Sequence, residues 1–144
     1  EYDLGGAIAA SADPDRNWLG NLLMHPYLER HPPKTTGREE FGLPYADALI
    51  DEALGSDLKA EKIVSTLAAF CPAAVVQQYE RFIRSGACAV EIQEIVIGGG
   101  GLENKFMLKE LENRWPHRLK VSSHEDYGIS SKFKESLLFA LLAY

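Results

Sequence analysis

Apolar side chains recur at intervals of three and four residues through the first half of the chain, a pattern typical of amphipathic helices. The first series is Trp18, Leu19, Leu22 and Leu23. Asp13-Pro14 before it is typical of an N-cap followed by proline at the first helical position, and His25-Pro26 predicts the end of that helix. Residues 29–43 are predicted to form a polar loop, and a second helix is predicted from Tyr45 to Leu54.

The longest helical pattern covers residues 58–85 and ends at Gly86. Pro72 lies in its middle and predicts either a kink or the start of a new helix. The period then changes, because residues 89–97 are rich in Val and Ile and predict a strand. The remaining predicted elements are a helix from Glu103 to Trp115, a strand from Leu119 to Ser123, and a last helix capped by Ser130 or Ser131, with an apolar face of Phe133, Leu137, Ala140, Leu141 and Tyr144.

The closing order of helix, strand, helix, strand and helix predicts an α/β layer with a parallel pair of strands. Two strands are too few for a stable sheet, so we expect an incomplete sheet in a truncated chain. The opening residues Glu1-Tyr2-Asp3 have no initiator Met and no basic segment, which favours an internal cut.

Composition argues against several classes of function. The net charge is −6 at pH 7, which argues against a nucleic-acid or anionic-membrane surface, and no apolar run approaches the roughly 20 residues that span a bilayer. Cys71 and Cys88 have no CxxC partner, so we expect buried thiols in a reducing, cytoplasmic compartment. The four histidines lack metal-ligand spacing, and each is expected at the surface or as a cap; they are His25, His31, His117 and His124.

Four glycines, Gly98 to Gly101, stand between the predicted strand and the next helix. Ligands in open α/β sheets lie beyond the carboxyl ends of strands, and glycines let the backbone approach a ligand closely. The helix that follows favours a phosphate or another polar group at its start. The segment is not a Walker A motif, and Asn104 stands where a dinucleotide fingerprint has its third glycine. A tight turn with no ligand is the alternative.

Two other segments are dense in polar groups. In the loop from His31 to Phe41, Lys34 and Arg38 can hold carboxylate or phosphate, and Thr35 and Thr36 can donate hydrogen bonds to a sugar. The alternative is a solvated loop with local ion pairs. After the second strand, Glu125 and Asp126 could accept hydrogen bonds from sugar hydroxyls or take part in acid–base chemistry. The alternative is that these two acids face water, as adjacent acids in loops usually do.

Three motifs, in this order, resemble the anhydro-N-acetylmuramic acid kinase family, which includes levoglucosan kinase-like proteins. The first is His25-Pro26-Tyr27 followed by Pro32 to Glu39, similar to the family's Pro-Pro-Lys-Ser/Thr-Thr-Gly-Arg-Glu segment. The second is Gly99 to Asn104. The third is Gly128-Ile129 with Lys134-Glu135 and Phe139-Ala140. The resemblance covers nearly the whole chain, as the C-terminal portion of such a protein.

The resemblance implies the C-terminal part of an actin-like ATPase domain, as in the sugar kinase, heat-shock ATPase and actin superfamily. Residues 1–56 would be a cleft or junction segment with short helices, and 57–144 a nucleotide-side core. It implies ATP and Mg²⁺ as cofactors, with no metal ligand in this chain. The implied nucleotide contacts are Gly99, Gly100, Gly101 and Asn104, and the implied sugar or domain-junction contacts are Lys34, Thr35, Thr36, Gly37, Arg38, Glu125 and Asp126.

The implied reaction opens the 1,6-anhydro bridge of a sugar with water and phosphorylates the freed 6-oxygen. The catalytic base and the phosphate loop are expected before Glu1, so the chain alone is expected to be inactive. Its expected partners are ATP, an anhydrosugar and the N-terminal part of the same protein. A homodimer is a further alternative. Glu103 replaces the family's arginine and Lys132 its aspartate. These departures favour an alternative, a non-catalytic nucleotide-binding or regulatory module; a structural α/β domain that merely dimerises is a third hypothesis.

Overall fold

The computed structural model describes residues 3–86, 89–130 and 133–144. Helices alternate with two short strands in the second half, as the sequence predicts. The helices are α1 (Arg16–Leu22), α2 (Pro26–Glu29), α3 (Arg38–Phe41), α4 (Leu43–Gly55), α5 (Ala60–Gln78), α6 (Lys105–Arg114) and α7 (Lys134–Ala143). The strands are β1 (Glu94–Ile97) and β2 (Lys120–Ser123). Short 3-10 turns lie at Leu4–Gly6, Ala9–Ser11, Gly100–Glu103 and Glu125–Tyr127, and a π-helical turn at Tyr79–Arg84 follows α5.

The start of α1 differs from the prediction. Asp15, rather than Asp13, is the N-cap, and its carboxylate accepts hydrogen bonds from the backbone N–H groups of Asn17 and Trp18. Long-range contacts select it, because the Asp15 N–H donates to the Thr66 hydroxyl and its carboxylate pairs with Lys62 at 3.3 Å. Proline therefore lies outside the helix instead of at its first position.

The helix α5 runs unbroken through Pro72, which is buried within it. Together with the π-helical turn it covers the predicted span, although proline removes one backbone hydrogen bond. Packing next to the proline compensates, since Ala69 and Ala73 are buried against Leu19 of α1. The predicted loop over residues 29–43 is partly helical, because α3 lies inside it and α4 starts at Leu43.

Two hydrophobic clusters join the first half of the chain to α5. In the larger one, Trp18 and Leu22 of α1 pack with Leu49 and Ala53 of α4 and Ile63 of α5. The two segments predicted on either side of residue 56 thus share one core. Burial of this kind stabilises the fold by about 25 cal/mol per Å² of apolar surface. Packing against α5 therefore holds α1 and α4 in place.

The strands β1 and β2 pair in parallel, as predicted, with Glu94 opposite Lys120 and Ile97 opposite Ser123. The strand β1 is shorter than the predicted span from residue 89. The Ile92 N–H donates to the Tyr79 hydroxyl and its carbonyl accepts from the Trp115 indole, so side chains hold this stretch where a neighbouring strand would. Tyr79, Leu111 and Trp115 form the cluster beneath the pair.

The last helix is present but differs from the predicted amphipathic one. Among the described residues no side chain caps its start. The backbone N–H of Phe133 donates to the carbonyl of Ser130, and Ser131 lies outside the described residues. Apolar side chains surround the helix on all sides and nearly all are exposed, including Leu138, Phe139 and Leu142. A helix that is apolar all round normally lies inside a protein. None of the helices among the described residues is both long and apolar enough to cross a membrane.

One face of α5 is likewise open. An apolar groove of about 830 Å³ runs along it, between α2 and α4 on one side and Ile92, Ile95 and Trp115 on the other. Cys71 lines this groove and is exposed, so the predicted burial of its thiol is wrong. Desolvation by the apolar groups around it nevertheless raises the pKa of that thiol. Cys88 lies outside the described residues.

Candidate functional site

The glycine segment and the two loop acids lie at the same edge of the sheet. Because β1 and β2 are parallel, their carboxyl ends meet there. Gly98 to Gly101 follow β1, and Glu125 and Asp126 follow β2 in a 3-10 turn. The structure therefore brings together two of the three groups of predicted site residues, at the edge where open α/β sheets bind ligands.

The fold explains the first two glycines of this loop. A Cβ on Gly98 would lie well inside contact distance of the His124 ring. Gly99 has φ +84°, a conformation that residues with side chains rarely adopt. His124 is therefore packed against the loop. It stands at the N-cap position of the 3-10 turn Glu125–Tyr127, as predicted, but its side chain makes no capping hydrogen bond, and its Nδ1 is buried without a hydrogen-bond partner in the described part of the chain.

The fold gives no internal reason for the next two glycines. At Gly100 and Gly101, nothing in the described residues lies within 4 Å of an added Cβ. Both residues are exposed and begin the 3-10 turn that leads into α6. An open backbone surface of this kind permits a flat ligand to approach closely. The site therefore has an internally packed base, Gly98 and Gly99, and an open surface at Gly100 and Gly101.

Asn104 has a structural role at the start of α6. Its side-chain oxygen accepts a hydrogen bond of 3.0 Å from the Met107 N–H, which makes it the N-cap. Gly6, near the start of the chain, packs against this cap so closely that an added Cβ would collide with the Asn104 oxygen. Gly6 was missed as part of this site; the Gly5-Gly6 pair in a small-residue segment is the signal that could have found it.

Hydrogen bonds shape the turn that carries the acids. The Asp126 carboxylate accepts from both the backbone N–H and the hydroxyl of Ser123, which lowers the pKa of Asp126. Asp126 is thus committed to closing the turn. Glu125 is exposed and follows His124, the residue whose ring packs against Gly98.

A second network ties this turn back to β1. The Glu94 carboxylate contacts the Lys120 ammonium at 2.8 Å and accepts from the hydroxyls of Ser122 and Tyr127. These bonds, with Lys120 the largest cause, lower the pKa of Glu94 from 4.5 to about 2. The stabilisation is therefore present above about pH 4.5 and is lost as the pH falls towards 2.

The third predicted group, the loop that carries Lys34, lies elsewhere. The Lys34 ammonium donates to the carbonyls of Tyr27 and Leu28 and to the Gln78 side chain. It also lies 4.8 Å from the Tyr27 ring centroid and 5.0 Å from that of Phe82. Burial lowers the pKa of Lys34. Lys34 therefore anchors its loop to the end of α5.

The rest of this loop is open to solvent. Thr35, Thr36, Gly37 and Arg38 are exposed, and Thr36 lines the mouth of the apolar groove together with Lys34. Nearby, Arg30 forms an ion pair with Glu40 and Arg81 with Glu29. Arg38 makes no ion pair within the residues that the structure covers. The loop thus has a fixed base and a free tip.

The packing of α5 against α6 separates the two regions. Phe106, near the start of α6, packs with Ala69 and Ala73, whereas Leu111 packs with Tyr79. The helices therefore run in the same direction, with the glycine loop level with Ala69 near the middle of α5 and the Lys34 loop at Gln78, the end of α5. From Ala69 to Gln78 a helix rises roughly 13 Å. In this part of the chain the two loops do not form one site.

Metal-binding geometry is a separate question. In residues 3–86, 89–130 and 133–144, no three His, Cys, Asp or Glu side chains come together in a group that could hold a metal ion.

Comparison with known proteins gives one consistent match. The family model described as anhydro-N-acetylmuramic acid kinase matches residues 1–144. Among curated proteins of that name, the one from Francisella tularensis subsp. novicida is 38% identical over 142 residues, the one from Salinibacter ruber 35% over 143, and the one from Synechocystis sp. 34% over 143. Each alignment covers 99% of this chain but only 35–36% of the relative. The chain thus spans about a third of its relatives' length.

Proposed function

The chain belongs to the anhydro-N-acetylmuramic acid kinase family, and we propose that it is the C-terminal portion of an ATP-dependent anhydrosugar kinase. The observation that carries this proposal is the family match over residues 1–144. The proposed architecture is part of an actin-like ATPase domain, and the mixed helices and parallel pair of strands are compatible with it.

The glycine loop is the proposed nucleotide contact. Its place beyond the carboxyl end of β1 and its open surface at Gly100 and Gly101 support this assignment. The residues therefore fit one side of a nucleotide, with Asn104 holding the start of α6 in place. ATP supplies the phosphoryl group, and the cytoplasm, where ATP is available, is the proposed compartment.

The loop tip of Thr35, Thr36, Gly37 and Arg38 is the proposed contact with the sugar or with the facing domain. Its exposed hydroxyls and its unpaired guanidinium can donate to hydroxyl, carboxylate or phosphate groups. Lys34 holds the base of the loop. At the edge of the sheet, Glu125 and Asp126 are the proposed acceptors of bonds from sugar hydroxyls, and the Asp126 carboxylate also accepts two bonds from Ser123.

The proposed reaction forms two bonds and breaks two. Water bonds to the anomeric carbon of a 1,6-anhydrosugar and gives up a proton to a base outside this chain, while the bridge bond from that carbon to the 6-oxygen breaks. The released 6-oxygen then bonds to the γ-phosphorus of ATP, and the bond from that phosphorus to ADP breaks, so that ADP leaves. Positioning and electrostatics supply most of the catalysis in phosphoryl transfer. The described residues offer no carboxylate cluster that fits Mg²⁺, so no step is assigned to a metal held by this chain.

We propose that this stretch alone does not turn over substrate. The open groove along α5 and the exposed α7 support this, because both present apolar surface that a folded protein normally covers. We propose that the remaining part of a protein as long as the relatives covers this apolar surface. A homodimer is the second candidate for part of that surface.

A coupled assay of ADP release tests the function. The full-length protein with an anhydrosugar and ATP should release ADP together with a 6-phosphorylated sugar, whereas residues 1–144 alone should stay at the rate without enzyme. No turnover by the full-length protein, together with retained ATP binding, would favour the non-catalytic module instead. Glu103, an exposed acid at the end of the glycine turn, is the residue that favours that alternative.

A further inference from the structure

The N-terminal end of α7 approaches the glycine loop. Lys134, the first residue of α7, places its ammonium 3.9 Å from the position that a Cβ on Gly99 would take. Apart from the two chain neighbours of Gly99, no other described atom lies within 4 Å of that position. The contact joins two segments 35 residues apart in sequence, and Lys134 was not among the site residues predicted from the sequence.

Lys134 is distinguished by its place beside the glycine loop, because Lys59, Lys105 and Lys109 also make no ion pair among the described residues. Lys62 pairs with Asp15 and Lys120 with Glu94, while the Lys34 ammonium is hydrogen-bonded within its loop. In the residues that the structure describes, Lys134 makes no ion pair. A cation at the first turn of a helix also opposes the helix dipole, so α7 itself gains nothing from the charge.

We propose that Lys134 binds the phosphate groups of the nucleotide and so favours nucleoside di- and triphosphates over the nucleoside. This inference rests on the proposed nucleotide role of the glycine loop. The open surface at Gly100 and Gly101 admits the ligand next to Gly99, and the Lys134 ammonium lies beside Gly99 itself. Lysine is a common phosphate ligand, and such charge-assisted hydrogen bonds are about twice as strong as neutral ones. The cation also offsets the repulsion from Glu103 at the other end of the turn.

The test measures binding to the full-length protein by titration calorimetry, with ATP, ADP, adenosine and the anhydrosugar as separate ligands. Lys134→Ala should lower the affinity for ATP and ADP five- to tenfold, about 1.0–1.4 kcal/mol, and should leave adenosine within about twofold. Lys134→Arg should restore most of the loss. Lys109→Ala, at an exposed lysine on α6, is the matched control and should change nothing.

Salt gives a second readout. The difference in ATP affinity between the unchanged protein and Lys134→Ala should shrink as salt is raised, because an exposed charge pair is screened. ATP affinity within twofold of the unchanged protein would overturn the inference. So would an equal loss for adenosine, which indicates a structural role, or a loss confined to the sugar. The proposed function fails separately, if Gly100→Val leaves ATP binding intact.

Discussion

The glycine loop and the Lys34 loop are both polar segments with a resemblance to family motifs, yet the fold uses their residues differently. In the Lys34 loop, the residue with the most conspicuous charge is committed to internal contacts, with hydrogen bonds to Tyr27, Leu28 and Gln78. In the glycine loop, contacts or backbone conformation explain why Gly98 and Gly99 are glycines, whereas nothing in the described residues requires glycine at Gly100 and Gly101.

The comparison teaches how to divide a motif into structural and ligand-facing parts. A residue whose type is explained by contacts within the chain needs no ligand to account for it. Lys34, Asp126, Asn104 and Gly98 fall in this class. Residues that the described fold leaves without such an explanation are the better candidates for binding, namely Thr35, Thr36, Arg38, Gly100 and Gly101.

The largest expected effect is on the packed base of the glycine loop. Gly98→Val should lower the free energy of unfolding of the full-length protein by about 3 kcal/mol, because the new side chain collides with the His124 ring. In a His124→Ala background the same change should cost less than about 1 kcal/mol. Urea unfolding of the unchanged protein, the two single variants and the double variant gives the cost of Gly98→Val in each background. Equal costs in the two backgrounds would mean that His124 does not set the glycine at this position.

A smaller effect is expected at the anchored base of the other loop. Lys34→Met keeps the aliphatic chain but removes the ammonium and its three hydrogen bonds. We expect a loss of about 2 kcal/mol in the free energy of unfolding, in the range for hydrogen bonds to charged groups. Thr35→Val, at an exposed neighbour, should change it by less than about 0.5 kcal/mol. If the Lys34→Met protein were as stable in urea as the unchanged protein, Lys34 would not anchor the loop.

The smallest effect on nucleotide binding is expected at the free tip of that loop. Arg38→Ala should lower kcat/KM for the sugar but leave ATP affinity within about threefold, under ~0.7 kcal/mol. The reason is the separation of the two loops along α5, where the glycine loop is level with Ala69 and the Lys34 loop is held at Gln78. Steady-state kinetics and ATP titration on the same protein check it. A large loss of ATP affinity with normal sugar kinetics would reverse the assignment of the two regions.

Periodicity and turn residues predicted most elements, including the parallel pair and the long helix. The errors arise where distant residues decide. Asp13 and Asp15 are equivalent as caps in the sequence, and contacts with Thr66 and Lys62 select the second. Cys71 looks buried in an apolar helix, but no described segment covers its face of α5.

The candidate site shows the same limit. The sequence predicted the glycine turn from local composition alone, and it placed Asn104 correctly at the start of the next helix. It missed His124 and Lys134 as neighbours of the loop, because only the fold brings them to Gly98 and Gly99. The sequence also could not show that Lys34 is held internally, since its partner Gln78 lies 44 residues away.

The most direct test of the account is the ATP affinity of the full-length protein with Gly100→Val. No described atom lies near an added Cβ at this position, so the melting temperature without nucleotide should change little. ATP affinity measured by calorimetry should fall at least tenfold, about 1.4 kcal/mol, because the new side chain occupies the surface on which the nucleotide is proposed to lie. Unchanged ATP affinity in the folded protein would contradict the account and leave the loop as a turn alone.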